Sequence, residues 1–130
     1  MKYSINKEEK YCILKLDEDK LDTTLAPKLK SEFVTLNAEG IKNLIIDLSS
    51  VRYTDSSGLS AILVGNRVFG DEDGLFVLAG PTEHVMKLIR ISQLDSVLNI
   101  LNTVEEAVDL VLMHELEKDF TSGDDDDEED

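Results

Sequence analysis

Hydrophobic and polar positions along this chain follow two periods, and the switches between them outline a fold. Tyr11-Cys12-Ile13-Leu14-Lys15-Leu16 alternates on the two-residue period of a strand, and Tyr3 to Ile5 can pair with it across a polar turn at residues 6–10. An opening hairpin is expected. Ala26, Leu29, Phe33 and Leu36 then recur every three or four residues. They follow Asp22-Thr23-Thr24 as cap candidates and have Pro27 in the first turn, so a helix is predicted over residues 24–38, ended by Gly40. Leu44-Ile45-Ile46-Asp47-Leu48 is a nearly continuous apolar run, the pattern of a central strand covered on both faces.

Leu59, Ile62, Leu63 and Val68 mark a second helix over residues 57–69, closed by Gly70 and the turn Asp71-Glu72-Asp73-Gly74. Leu75 to Ala79 predicts another buried strand. Beyond Gly80-Pro81, Thr82 offers a cap to a third helix carrying Val85, Leu88 and Ile89, and a weak strand follows near residues 97–100. Val104, Ala107, Val108, Val111 and Leu112 form the stripe of a closing amphipathic helix from Thr103 to about Leu116. Leu110 and Met113 fall outside that stripe, which fits either a helix buried on two sides or an apolar contact patch. The order ββαβαβαβα with short connections predicts one α/β domain. It should hold a mostly parallel central sheet, an N-terminal antiparallel strand and about four helices packed on it.

Composition sharpens this picture. A chain of 130 residues with 42% hydrophobic residues has enough apolar material for one core and little left for a second. The single cysteine, Cys12, can form no internal disulfide and alternates with its strand neighbours like a small core residue. The first residues carry no apolar signal segment, so a cytoplasmic setting is expected. No apolar run approaches the roughly 18 residues of a membrane span, and no membrane insertion is expected. The net charge of −15 opposes phosphate backbones and anionic headgroups, which excludes nucleic acid and bare membrane as expected partners. Residues 124–130 are seven consecutive acids, and the remainder still carries −8. The division expected is a domain over residues 1–118 and a disordered acidic tail over 119–130, serving solubility or docking of a basic partner.

Candidate chemistry is sparse. His84 and His114 have no partner at recognised metal-ligand spacing, and the chain contains no GxSxG, phosphate-binding P-loop or GxGxxG. No metal, cofactor or catalytic residue is assigned, and an enzyme is not expected. A hydrolase built on Ser56 or Ser57 lacks a histidine placed by sequence to act as base. One segment differs in kind. Thr54-Asp55-Ser56-Ser57-Gly58-Leu59 lies where the central strand has ended and the second helix begins, where backbone N–H groups point outward without partners. Asp55 or Ser56 can simply cap that helix. A serine at the same point is also exposed to a kinase and sits where a phosphate is electrostatically favoured.

The stretch from Leu44 to Leu59, an IIDLS strand leading to DSSGL, resembles the signature of STAS domains, the family of bacterial anti-sigma factor antagonists. Leu21-Asp22-Thr23-Thr24-Leu25-Ala26-Pro27-Lys28-Leu29 is similar to the family's LDxxTAxxL entry into its first helix, and Leu75 to Leu88 resembles its later strand, Pro turn and helix. The resemblance covers about residues 1–116. Asp19 and Gln93 stand where the family often has glycine, and Ser60 where it often has a small residue.

The resemblance implies that Ser57, the second serine of DSSG, is the phosphorylated residue, with Asp55 and Asp22 as the acidic residues near it. It implies a partner-binding surface of Asp22, Thr54, Asp55, Ser56, Ser57 and Gly58. It implies a partner-switching cycle in which the unphosphorylated chain binds an anti-sigma factor serine kinase and releases a sigma factor. The kinase then phosphorylates the serine, the antagonist dissociates, and a PP2C-type phosphatase resets it. The same fold also serves as a STAS subunit of a lipid transporter ATPase complex or a stressosome-like scaffold, and the partner distinguishes these readings.

Overall fold

The computed structural model describes residues 1–71 and 73–129, with side chains as far as Thr121. Strands β1 (Tyr3–Lys7) and β2 (Cys12–Leu16) form the expected hairpin, with Tyr3 opposite Leu16 and Lys7 opposite Cys12. The Glu8 N–H donates to the Tyr11 carbonyl at 2.8 Å to close its turn. Then come β3 (Lys20–Leu21), α1 (Ala26–Ala38), β4 (Leu44–Asp47), β5 (Tyr53–Thr54), α2 (Ser56–Gly70), β6 (Phe76–Ala79), α3 (Glu83–Ile91), β7 (Asn99–Leu101) and α4 (Val104–Glu129).

The main sheet has the order β1-β2-β4-β6-β7, and every pairing in it after the hairpin is parallel. Alternation along its central strands divides the interior in two. Leu44, Ile46, Phe76 and Leu78 face α1, α2 and α3 in the larger core, whereas Ile45, Val77 and Ala79 face α4 through Ala107 and Val111. Both faces are therefore covered, which is why these strands read as unbroken apolar runs. Each fully buried Leu, Ile or Phe contributes about 1.5–3 kcal/mol by leaving water. Phe33 of α1, Phe69 of α2 and Phe76 of β6 meet at the centre, with Phe33 edge-on to Phe76 at 5.2 Å between ring centroids and to Phe69 at 6.5 Å. Gly65 lets α2 approach this cluster, since a Cβ there would lie 2.5 Å from the Phe76 ring. Cys12 is buried in the same core, and burial pushes its thiol pKa up.

Several local expectations need correction. Helix α1 begins at Ala26, with Leu25 at its N-cap and no side-chain cap, because the Asp22 carboxylate is taken by Thr24 instead. Thr82 is the N-cap residue of α3 but does not cap with its side chain, because its hydroxyl donates to the Val51 carbonyl at 2.8 Å. The last strand starts at Asn99 and leaves Val97 exposed in the turn. The two-residue strands β3 and β5 pair in parallel as a separate small sheet, Lys20 with Tyr53 and Leu21 with Thr54, and are too short for any period to reveal. Of the two residues outside the α4 stripe, Leu110 is half-buried against the second core and Met113 is exposed, so the contact-patch reading fits Met113; Leu112, expected in the buried stripe, is exposed as well. Helix α4 also runs past its expected end near Leu116, to Glu129. The side chains of residues 122–130 lie outside the described residues.

Gln93 closes α3 in the left-handed conformation, with φ of 60°. Its N–H donates to the Arg90 carbonyl and the Leu94 N–H to the Ile89 carbonyl, both at 3.0 Å. This is a helix ending that glycine satisfies without a Cβ clash. Gln93→Gly is expected to raise the unfolding free energy by about 0.5–1 kcal/mol. Urea denaturation measures this, and an unchanged or lower midpoint would count against the strain at Gln93.

Candidate functional site

Beyond the carboxyl end of β4, the chain crosses over the sheet edge and returns as β5, and α2 starts at once. The segment is held by the stretch before α1. The Asp19 carbonyl accepts from the Arg52 N–H at 2.8 Å and from the Tyr53 N–H at 3.1 Å. Asp19 does this at an ordinary negative φ, so the glycine often found there in the family is not needed for the backbone path. Thr54 is buried, and its hydroxyl donates to the Leu21 carbonyl at 2.9 Å. Gly58 packs directly on both: a Cβ there would lie 2.1 Å from Thr54 Oγ1 and 2.6 Å from the Leu21 carbonyl oxygen. Thr54 and Gly58 are thus scaffold residues that set where the exposed part of the segment stands.

Asp55 is the N-cap of α2, in extended backbone, and its Oδ1 accepts from the Gly58 N–H at 3.0 Å. Of the two cap candidates, Asp55 fills the role. Ser56 is exposed in the first turn. Ser57 is half-buried and donates its hydroxyl to the same Asp55 Oδ1 at 2.5 Å. Thr23, from the loop before α1, places its hydroxyl 3.4 Å from both Asp55 Oδ2 and Ser57 Oγ, a weak contact at that length. Asp22 stands on the same loop but turns its carboxylate to its own chain, accepting from the Thr24 hydroxyl at 2.7 Å and the Thr24 N–H at 3.0 Å.

These bonds set the charge state of the site. The Ser57 hydroxyl, then the Gly58 N–H, hold the Asp55 carboxyl below the ordinary carboxylate range. The Thr24 hydroxyl and N–H do the same for Asp22. Both acids are therefore ionised at neutral pH, and an ionised Asp55 aligns the Ser57 hydroxyl as its hydrogen-bond donor. Ser57 also lies at the positive end of the α2 dipole, where Asp55 already accepts from the Gly58 N–H. The arrangement is an oriented, solvent-reachable hydroxyl with a place for a phosphate beside it.

The expected residues Asp22, Thr54, Asp55, Ser56, Ser57 and Gly58 are brought to one corner of the molecule, though only Asp55, Ser56 and Ser57 present their polar atoms there. An adjoining surface escaped the sequence reading. Tyr53 is exposed at the start of β5, and its ring lies 5.4 Å from that of His84 on α3. His84, Lys87, Leu88 and Ile91 then line a shallow depression of about 180 Å³, with Ile91 68% exposed. His84 is thus part of an aromatic contact and not an isolated surface residue. Ile91 lies off the apolar stripe of α3, and that displacement was the one sequence signal available. Among the described residues no group of three or more His, Cys, Asp or Glu side chains is placed to hold a metal ion. No helix among them is long and apolar enough to cross a membrane.

Comparison with known proteins agrees with the fold. The profile of the STAS domain family matches residues 2–107. A protein of Thermotoga neapolitana, named as a candidate anti-sigma factor antagonist, is 30% identical over 73 residues, which are 56% of this chain and 65% of that one. The chain thus spans just under two-thirds of that relative's length. The crystal structure of a candidate anti-sigma factor antagonist from Thermotoga maritima superposes with a TM-score of 0.74 at 25% identity, covering 84% of this chain and 93% of that one. The phosphorylated form of the Bacillus cell fate determinant SpoIIAA superposes with a TM-score of 0.66 at 21% identity, covering 85% and 99%. That last likeness is one of fold.

The lowered Asp55 carboxyl gives the cap a pH signature. A carboxyl depressed in the folded state contributes stability that is fully present above its unfolded value of about 3.8 and is lost as pH falls through the folded value. Asp55→Ala is expected to lower the thermal midpoint at neutral pH. Asp55→Asn keeps an acceptor for the Gly58 N–H and should retain most of that midpoint while flattening its fall below pH 4. Melting curves across pH 2–7 measure both, and an unaltered acid limb in Asp55→Asn would contradict the assignment.

Proposed function

The chain belongs to the STAS domain family, and on that footing we propose that it is an anti-sigma factor antagonist controlled by phosphorylation of Ser57. In this reading the unphosphorylated chain docks a serine-kinase anti-sigma factor on the corner formed by Asp22, Thr54, Asp55, Ser56, Ser57 and Gly58, so that the kinase lets go of its sigma factor. Phosphorylation of Ser57 ends the complex, and a PP2C-type phosphatase restores it. The chain acts as a binding module of the cytoplasm, with no catalytic residue, metal or cofactor of its own.

The observation that carries the reading is the hydrogen bond from Ser57 Oγ to Asp55 Oδ1 at the start of α2. It presents the hydroxyl oxygen to an incoming phosphoryl group at the positive end of the α2 dipole. Transfer joins the γ-phosphorus of ATP to Ser57 Oγ, the bond from that phosphorus to the bridging oxygen breaks with ADP as leaving group, and the hydroxyl proton passes to a base of the kinase. Ser57 then has no proton to donate to Asp55. In its place stands a group carrying about −1.5 to −2 charge against an ionised carboxylate. Since the whole chain is already at −15, the added charge matters little at long range and acts through the contact itself. The apolar rim at Tyr53, Leu88 and Ile91 supplies desolvated area for a partner beside that charge-sensitive point. The phosphorylated form described for SpoIIAA is consistent with such a cycle in a protein of this fold.

Binding to a purified serine-kinase anti-sigma factor, with wild type, Ser57→Ala and Ser57→Asp compared, tests the proposal. Ser57→Ala is expected to bind within about threefold of wild type and Ser57→Asp at least about tenfold more weakly. Incubation with the kinase and ATP should add one phosphoryl group to wild type and none to Ser57→Ala, read by intact mass. Equal binding by Ser57→Asp, or a phosphoryl group placed at another residue, would sink the proposal.

A further inference from the structure

The outer side of α4 is the one large apolar feature that neither the core nor the Ser57 corner uses. Successive residues of a helix turn by about 100°, so Met113, Leu116 and Phe120 fall on the side of α4 opposite Ala107 and Val111, with Leu112 bordering them. All four are exposed, Met113 at 55% and Phe120 at 68%. The spacing 113, 116, 120 is three then four, which is the seam of a helix that packs against another helix. Glu106 and Glu117 flank that seam on one side and Asp119 on the other, and Asp109 falls on its line one turn before Met113, all of them exposed. Lys118 and His114 are turned the other way. His114 Nε2 lies 2.9 Å from the Asp73 carbonyl oxygen, and Lys118 Nζ donates to the same oxygen at 3.3 Å. Among the described residues the outer face therefore carries apolar and acidic groups only.

We propose that this face of α4 is a second docking surface, and that its occupant is a basic amphipathic helix of a partner protein. Charge decides the occupant. A second copy of the chain would set acids against acids along both flanks of the seam, which disfavours pairing with itself. A membrane with anionic headgroups is repelled for the same reason. A helix with apolar residues on its seam and lysine or arginine beside them satisfies both parts of the face.

The surface is also separate from the Ser57 corner. Helix α4 runs back along the sheet, so that Glu115 accepts from Asn43 Nδ2 at 2.5 Å, just before β4, whereas Ser57 follows the far end of that strand. A helix bound here can stay bound whatever the state of Ser57.

Three synthetic peptides of about three heptads test this against the full chain by fluorescence anisotropy. One has Leu on the seam and Lys on the flanks, one has Leu with Glu flanks, and one has Ser with Lys flanks. The Leu/Lys peptide is expected to bind wild type at least about tenfold more tightly than either other peptide. The triple variant Met113→Ala, Leu116→Ala, Phe120→Ala keeps the chain's charge and favours helix, so it should retain the helical circular dichroism while losing about tenfold in affinity. Ser57→Asp should bind like wild type. Undiminished binding by the triple variant, equal binding of the Leu/Glu peptide, or no binding at all would overturn the proposal. So would sedimentation showing a wild-type dimer that the triple variant dissolves, which would assign the face to a second copy.

Discussion

The approach of the first turn of α2 to the Leu21 carbonyl is the contact on which the rest of the Ser57 corner depends. Gly58 permits it, since a Cβ would fall on both Thr54 Oγ1 and the Leu21 oxygen. Thr54 makes it specific by donating its buried hydroxyl to that same oxygen. With those two residues in place, β3 and β5 pair over two residues, the loop carrying Asp22 and Thr23 is brought against α2, and Asp55 meets the N–H groups it must cap. A buried hydroxyl without its acceptor would cost about 1–3 kcal/mol. The small sheet is therefore held by polar satisfaction at Thr54 as much as by its own ladder.

That scaffold separates rigidity from chemistry. The groups that fix the corner are buried or bonded within it, and the groups that face outward are few: the Asp55 carboxylate, the hydroxyls of Ser56 and Ser57, and the apolar margin of Tyr53 and α3. Asp55 accepts from the Gly58 N–H as well as from the Ser57 hydroxyl, and in the proposed cycle a phosphoryl group on Ser57 would replace only the second of these donors. Such a switch requires no rearrangement of the sheet. In the proposed cycle it would alter a contact by exchanging a donor for an anion, at a point where a docked partner excludes water and the exchange is least screened.

The two faces of the sheet are used differently. Helices α1, α2 and α3 share the larger core and bring the Ser57 corner together, whereas α4 alone covers the other face through Ala107 and Val111. A single helix has one side for the sheet and one for solvent, so large apolar residues on the second side are unrelated to the fold's own stability. The buried Asn43, with all its polar atoms bonded to Lys10, Leu75 and Glu115, fixes where α4 leaves the domain.

Read alone, the amino-acid order determined the elements of regular period. The runs at Leu44 to Leu48 and Leu75 to Ala79 carried the central strands, and the three- and four-residue spacings carried the helices, because burial on one or two faces is written directly into local pattern. The DSSG segment and its place at a helix start were legible for the same reason, and so was the family. What the order left open were contacts between segments distant in sequence. It could not say that Asp22 serves Thr24 and not a helix cap, that Thr82 bonds back to Val51, or that Lys20 and Tyr53 begin a second sheet. It could not choose between Asp55 and Ser56 as cap, nor decide whether Met113 was buried. Each of these turns on which partner lies within about 3 Å of a polar atom or against an apolar face. Proximity of that kind belongs to the folded chain, because loop closure brings residues 21 and 54 together and no local period records it.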